Sequence, residues 1–204
     1  MTDDRELIFE RIRSALAADT RREPLPSYAD DVAVAQRLLA GRESLDVFGE
    51  RLERVRGRVF RTVAALGSWL ASENARQGYI APELATEFAP LLGPDLRLET
   101  SFDRTRVDDY AFAITRAVGA IAETGSLILN DATTASRLAT LTPWIHVAVL
   151  REHQLFENVS QALRALGNDP YVIWCTGPSK TADVEGILIE GVHGPGQQIA
   201  LILP

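Results

Sequence analysis

Residues 145–150 read IHVAVL and residues 171–175 read YVIWC, and between them Phe156, Val159, Leu163 and Leu166 recur at steps of three and four before Gly167. A short, almost wholly apolar run is the pattern of a strand buried on both faces. The three-and-four spacing is that of a helix with one apolar stripe, which a glycine can end. The stretch therefore predicts strand, helix, strand. Toward the C-terminus, Pro178–Glu185 starts a turn or a helix, and Ile187–Glu190 and Ile199–Leu203 read as strands. Toward the N-terminus, Leu96–Glu99, Ala111–Thr115, Val118–Ala122 and Ser126–Asn130 read as strands, and Thr133–Leu141 as a helix stopped by Pro143. Strands alternating with helices at these lengths predict an α/β fold, a mostly parallel sheet flanked by helices.

Before residue 96 the pattern is helical. Ile8, Ile12 and Ala15/Leu16 keep helical spacing after the acidic Asp3, Asp4 and Glu6, which suit a helix N-terminus. Thr20–Asp31, with Pro24 and Pro26, is a connector. Phe48, Leu52, Val55, Val59, Val63, Leu66 and Leu70 predict one long helix. Its polar face, Glu50, Arg51, Glu53, Arg54, Arg56 and Arg58, reads as solvated, with a Glu50–Arg54 pair worth only ~0.3 kcal/mol. Pro82, Pro90, Gly93 and Pro94 punctuate a shorter helical or looped region. The expected organisation is one domain, with residues 1–95 as its N-terminal helical region and 96–204 as the α/β core.

Composition narrows the function. The 204 residues are 46% hydrophobic, enough for one sizeable core. A net charge of −7 opposes general binding to a phosphate backbone, so nucleic acid is not the expected partner. A local basic pocket for a small anion remains compatible with that charge. Arginine accounts for all but one of the 21 basic residues, the exception being Lys180. A single cysteine, Cys175, gives no internal disulfide and no ligand set for an iron–sulfur cluster. No His, Cys and carboxylate set has metal-ligand spacing, with His146 in an apolar strand and His153 at a helix start, so no metal site is expected. No apolar run reaches membrane-spanning length and Met1–Glu10 is charged, so the expected location is the cytoplasm.

Three segments carry glycine-centred motifs: Ile121-Ala122-Glu123-Thr124-Gly125-Ser126-Leu127-Ile128-Leu129, Thr176-Gly177-Pro178-Ser179-Lys180-Thr181-Ala182-Asp183-Val184-Glu185, and Glu190-Gly191-Val192-His193-Gly194-Pro195. In this order, ahead of a closing apolar strand, they resemble the LutC/YkgG family of lactate-utilization proteins, also called the LUD domain. The match covers roughly residues 96–204, and Ser126 stands where the family more often has Thr. The resemblance implies a fold similar to the ribose-phosphate isomerase and CoA-transferase superfamily. It also implies service beside iron–sulfur partner proteins in a system oxidising L-lactate to pyruvate, with no cofactor bound by this chain. The alternative is a stand-alone enzyme like the fold's relatives, a CoA-transferase or an ATP-dependent cyclo-ligase. The family assigns no catalytic residue to carry over.

The motifs admit physical readings of their own. Pro178 suits the first position of a helix, so free N–H groups at Ser179, Lys180 and Thr181 after Gly177 would form a seat for a carboxylate or phosphate; otherwise Thr176 or Ser179 caps the helix. The loop Thr124-Gly125-Ser126 either lines a ligand crevice or is a turn in which Gly125 takes a positive φ. Glu123, beside it, is a nucleophile candidate by analogy with acyl-transfer enzymes of the similar fold. Asp183 orients Lys180 or caps a loop. His193 either exchanges protons with a 2-hydroxy acid or is a buried imidazole holding its turn. A Ser179–His193–Asp183 triad lacks a nucleophile elbow and is set aside. Common to these readings is one hollow shared by residues 124–126, 177–183 and 193.

Overall fold

The computed structural model describes residues 4–17, 41–134, 136–167, 169, 171–183 and 185–204. The connector expected at Thr20–Asp31 lies outside the described residues. The chain divides into two units, Met1–Val32 and Ala33–Pro204. The first contains α1 (Asp4–Ala17), the helix expected from the spacing of Ile8, Ile12 and Leu16, with Asp4 and Glu6 in its first turn.

The second unit is built on a six-stranded sheet. Its strands are β1 (Arg58–Phe60), β2 (Gln77–Ile80), β3 (Arg97–Glu99), β4 (Phe112–Arg116), β7 (Ile145–Arg151) and β12 (Gln197–Leu203). Every neighbouring pair in the order β1-β12-β7-β4-β2-β3 is parallel. The centre is the pairing of β7 with β12, from Gln197 opposite Ile145 to Leu203 opposite Arg151. The connection from β4 to β7 carries β5 (Gly119–Ile121), β6 (Ser126–Asn130) and the short helix α5 (Arg137–Leu141); that from β7 to β12 carries β8 (Leu155–Phe156), α6 (Val159–Leu166) and β9 (Val172–Cys175). These four strands form a second, mixed sheet in the order β8-β5-β6-β9.

Alternation along the central strands assigns their two faces. Ile145, Val147 and Val149 of β7 and Ile199, Leu201 and Leu203 of β12 pack toward α3 (Val63–Ser72) and α4 (Pro82–Leu92), through Leu66, Leu70, Leu84 and Phe88. Ala148, Leu150, Ala200 and Ile202 face the other way. There they meet Leu127 and Leu129 of β6 and Phe48 and Leu52 of α2 (Ser44–Arg54). Burial on both faces is why these strands lack polar alternation, and it is what their sequence announces.

The single long helix expected from Phe48 to Leu70 is two helices with a strand between them. The apolar spacing is real, but Arg56 turns the chain at a φ of 68°, and β1 then pairs with β12, Arg58 opposite Ile199 and Phe60 opposite Leu201. Parallel pairing at the sheet's edge prevails over helix continuation here because Val55 and Val59 are β-branched, and at Gly57 a Cβ would lie 2.3 Å from the Leu52 side chain, so only glycine fits the turn that follows α2. β2 was not legible either: Gly78 lacks the side chain that marks a strand, and the Phe112 ring occupies that space, 2.4 Å from where a Cβ would lie. Residues 1–95 are therefore not wholly helical. Two strands of the central sheet, and the start of a third-layer contact through α2, come from before residue 96.

Helices α3 and α4 approach through Gly67, where a Cβ would lie 2.1 Å from the Leu92 carbonyl oxygen. In an open helix Gly→Ala gains about 1 kcal/mol from propensity. Here the backbone contact reverses the sign, and Gly67→Ala is expected to lose about 1–3 kcal/mol, read as a lower urea midpoint.

Candidate functional site

Strand pairing brings the first two motifs together. β6 and β9 are antiparallel with Leu127 opposite Cys175, so the loop before β6 and the loop after β9 lie side by side. The Thr124 hydroxyl donates to Ser126 Oγ at 2.8 Å, and Ser126 Oγ lies 2.7 Å from Thr176 Oγ1. Both glycines are left-handed, Gly125 at φ 68° and Gly177 at φ 79°. Each also abuts the end of α2. A Cβ on Gly125 would lie 2.5 Å from Leu52 N, and one on Gly177 2.4 Å from the Val55 carbonyl oxygen. The two motifs are thus built for close approach to a helix end, the alternative in which Gly125 shapes a turn.

Lys180 serves the same junction. Its ammonium donates to the Val55 carbonyl at 3.1 Å and lies 3.8 Å from Glu190 Oε1, which Arg56 also reaches at 3.1 Å. A cation at a helix C-terminus meets orphan carbonyls and the negative end of the macrodipole. The isolated lysine caps α2.

The helix-terminus anion seat expected at 179–181 does not form. Lys180–Ala182 is a strand, β10, paired antiparallel with β11 (Leu188–Glu190), and the Ser179 N–H donates to the Pro195 carbonyl at 2.9 Å. Pro178 can open a helix, but Asp183 closes a turn instead. Its Oδ1 accepts from Glu185 N at 2.9 Å and Ile187 N at 2.8 Å, which folds the run back on itself. Asp183 therefore shapes the hairpin and does not orient Lys180, and Thr181 lies in the ladder opposite Ile189. Glu123 is likewise a structural group. Its Oε1 accepts from Val159 N at 2.7 Å, beside the Asn158 cap of Gln161, at the N-terminus of α6.

Ser179 and His193 do share a hollow. It measures about 260 Å³ and is lined by both residues, together with Thr176, Pro178, Cys175 and Gln198. Gly191 N donates to the Ser179 carbonyl at 3.0 Å, so two backbone bonds knit the second and third motifs. His193 is exposed rather than a buried turn-holding imidazole, and its ring has no partner among the described residues. Burial pushes the Cys175 thiol up to about 11, which keeps it protonated and a poor nucleophile at neutral pH. Among the described residues, no three His, Cys, Asp or Glu side chains are grouped to hold a metal ion, and no helix is long and apolar enough to cross a membrane.

Beneath this hollow lies a polar cluster that sequence reading missed. His146, on the β7 face toward the second sheet, is wholly buried. Its Nε2 is 2.9 Å from Thr115 Oγ1 on β4, and its Nδ1 is 3.0–3.1 Å from the Gln198 amide on β12. Three polar residues on three adjacent strands satisfy one another, and the signal was available as a polar residue inside each apolar run. Burial drops the His146 pKa from 6.5 to about 4, partly offset by the Gln198 hydrogen bond. The unfolded chain takes up this proton below its ordinary value and the folded chain only near the lowered one. Stability is therefore whole above pH 6.5 and is lost as the pH falls toward 4. Urea midpoints across that window should fall by the equivalent of up to about 3 kcal/mol from this residue. In His146→Gln that part of the slope should vanish.

Comparison with known proteins follows the same outline. A family model described as the LUD domain matches residues 62–203. Lactate utilization protein C of Deinococcus radiodurans is 33% identical over 127 residues, 60% of each chain, so this chain matches about three-fifths of that relative's length. Lactate utilization protein C of Anoxybacillus flavithermus is 27% identical over 97% of this chain and 98% of its own. Uncharacterized protein YkgG of Escherichia coli is 34% identical over 91 residues, 41% of this chain and 39% of its own. The crystal structure of a DUF162 family protein from Deinococcus radiodurans superposes with a TM-score of 0.58 at 23% identity, over 79% of this chain and 96% of that one, and shares the fold.

Proposed function

This chain belongs to the LUD-domain family, in its LutC/YkgG group, and from that premise we propose that it is a cytoplasmic subunit of a system that oxidises L-lactate to pyruvate. Iron–sulfur partner proteins carry the electrons in this reading, since Cys175 alone supplies no cluster ligation. The observation that carries it is convergence: the segments 124–126, 176–180 and 191–195, which bear the family likeness, are hydrogen-bonded in series, and residues 176–179 and 193–195 line one hollow. At that hollow an accessory role is better supported than anion binding, because Lys180 is engaged by α2 and no Lys or Arg lines the space.

Two observations weigh against a stand-alone acyl-transfer or ATP-dependent enzyme. Glu123 is held by the α6 terminus, and a space of about 260 Å³ is below the range of about 300–1,000 Å³ typical of larger organic ligands. Deletion of the gene in a strain without a paralogue should abolish growth on L-lactate. The intact gene should restore growth, and the purified chain should retain partners with iron–sulfur absorption. Unimpaired growth of the deletion strain overturns the pathway assignment, and saturable turnover of CoA or ATP by the chain alone overturns the accessory role.

A further inference from the structure

A second hollow lies apart from the family motifs, at the C-terminal edge of the parallel sheet, where open α/β sheets present their ligand crevice. The strands β4 and β7 both end on arginine, Arg116 and Arg151. By strand alternation Arg116 shares a face with Ile114 and Arg151 with Val149, the face covered by α4. Both arginines line a crevice of about 210 Å³, walled by Leu84, Phe88 and Leu203.

We infer that this crevice is a binding site for a short-chain monocarboxylate, of the 2-hydroxy or 2-oxo acid class, held by Arg116 and Arg151. The charges fit one negative ligand. Arg151 is 3.5 Å from Glu87 and donates to the Pro204 carbonyl at 3.3 Å, so it is fixed and half-neutralised. Arg116 has no side-chain partner among the described residues, although its carbonyl is anchored by the Thr134 hydroxyl. Glu152, on the neighbouring turn, is paired with Arg61, which leaves Glu87 as the carboxylate lining the crevice. Arg151 is satisfied by Glu87 and by the Pro204 oxygen, so Arg116 supplies the positive charge for a monoanion, and Glu87 disfavours a dianion such as phosphate. A guanidinium presents its donors as a planar fork that matches a carboxylate.

The remaining groups suit the rest of such an acid. The apolar wall takes a short aliphatic tail. Gln154 is engaged at both ends, by Arg151 N at 2.7 Å and the Val118 carbonyl at 3.0 Å. The His153 ring, also lining the crevice, has no partner among the described residues and is available to a hydroxyl or oxo group at C2. The volume is too small for a nucleotide or a coenzyme A thioester.

This inference deepens the lactate reading by naming where such an acid sits, yet it is tested separately from it. Ligand-observed NMR titration of the full chain with L-lactate, pyruvate, acetate and inorganic phosphate is the measurement. Saturable binding of L-lactate or pyruvate, tighter than that of acetate, is expected, weakened about tenfold or more in Arg116→Gln and unchanged in Arg97→Gln on β3. Circular dichroism verifies that both variants are folded. L-Lactate or pyruvate bound through Arg116 sustains the site even where growth on L-lactate does not need the gene. No binding of either, acetate bound as tightly as both, equal affinity in Arg116→Gln, or phosphate bound more tightly than the acids overturns it.

Discussion

The parallel pairing of β7 with β12 is the interaction on which the rest of the molecule hangs. Its rungs run unbroken from Ile145 opposite Gln197 to Arg151 opposite Leu203, and both faces are buried along nearly the whole length. Strands covered on both sides have no water to satisfy their backbone groups, so their ladder must be complete, and every other element is placed by covering one face or the other. α3 and α4 cover one side; α2 and the second sheet cover the other. The buried group Thr115–His146–Gln198 ties β4, β7 and β12, with Gln198 directly opposite His146 and Thr115 two residues further along β4. A register slip of one residue would turn these polar groups into the α3–α4 core, which makes the trio a device for alignment as well as a source of acid sensitivity.

The second sheet is made wholly of detours between central strands, and this is what assembles the family motifs. Because β5 and β6 leave after β4, and β8 and β9 after β7, residues 124–126 and 176–177 arrive at one edge although some fifty positions separate them. Their glycines are required by the end of α2, which lies too close to admit a side chain. Lys180 then neutralises that helix end from the same side. Glycine-rich motifs of this kind invite reading as phosphate cradles, but the backbone donors are consumed by the hairpin and the Pro195 carbonyl. What is left is a small hollow lined by Thr176, Ser179, Gln198 and His193.

The two hollows divide the chemistry. One is lined by hydroxyls and by residues of the second and third motifs; the other is cationic, at the C-terminal ends of the parallel strands. Lys180, the cation expected at the motifs, is committed to the end of α2 and to Glu190. The arginines that matter for an anion were legible only as charged residues terminating apolar runs, a pattern with no meaning until β4 and β7 are known to be neighbours.

Much of the C-terminal half was legible: strands over 126–130, 145–150 and 199–203, the helix ended by Gly167, and the α/β class all follow from local pattern, because strand and helix periods differ and double burial leaves an unbroken apolar run; the structure extends the last two strands to Ile145–Arg151 and Gln197–Leu203. Of the residues expected around one hollow, Gly177, Pro178, Ser179 and His193 line it, whereas residues 124–126 and 180–183 do not, because the first loop is turned against α2 and the second run is taken up by the hairpin. Less was legible where two local solutions compete. The run from Phe48 to Leu70 satisfies a helical period, and only the free edge of β12 makes residues 58–60 a strand. Pro178–Glu185 can open a helix, and only the pairing of β10 with β11 commits it to a hairpin. By itself the sequence determined which segments must be buried, since that depends on each residue's own transfer from water. Which charges meet, which donors are consumed and which hollow keeps a free cation were decided by tertiary structure, since hydrogen bonds and ion pairs depend on partners far along the chain.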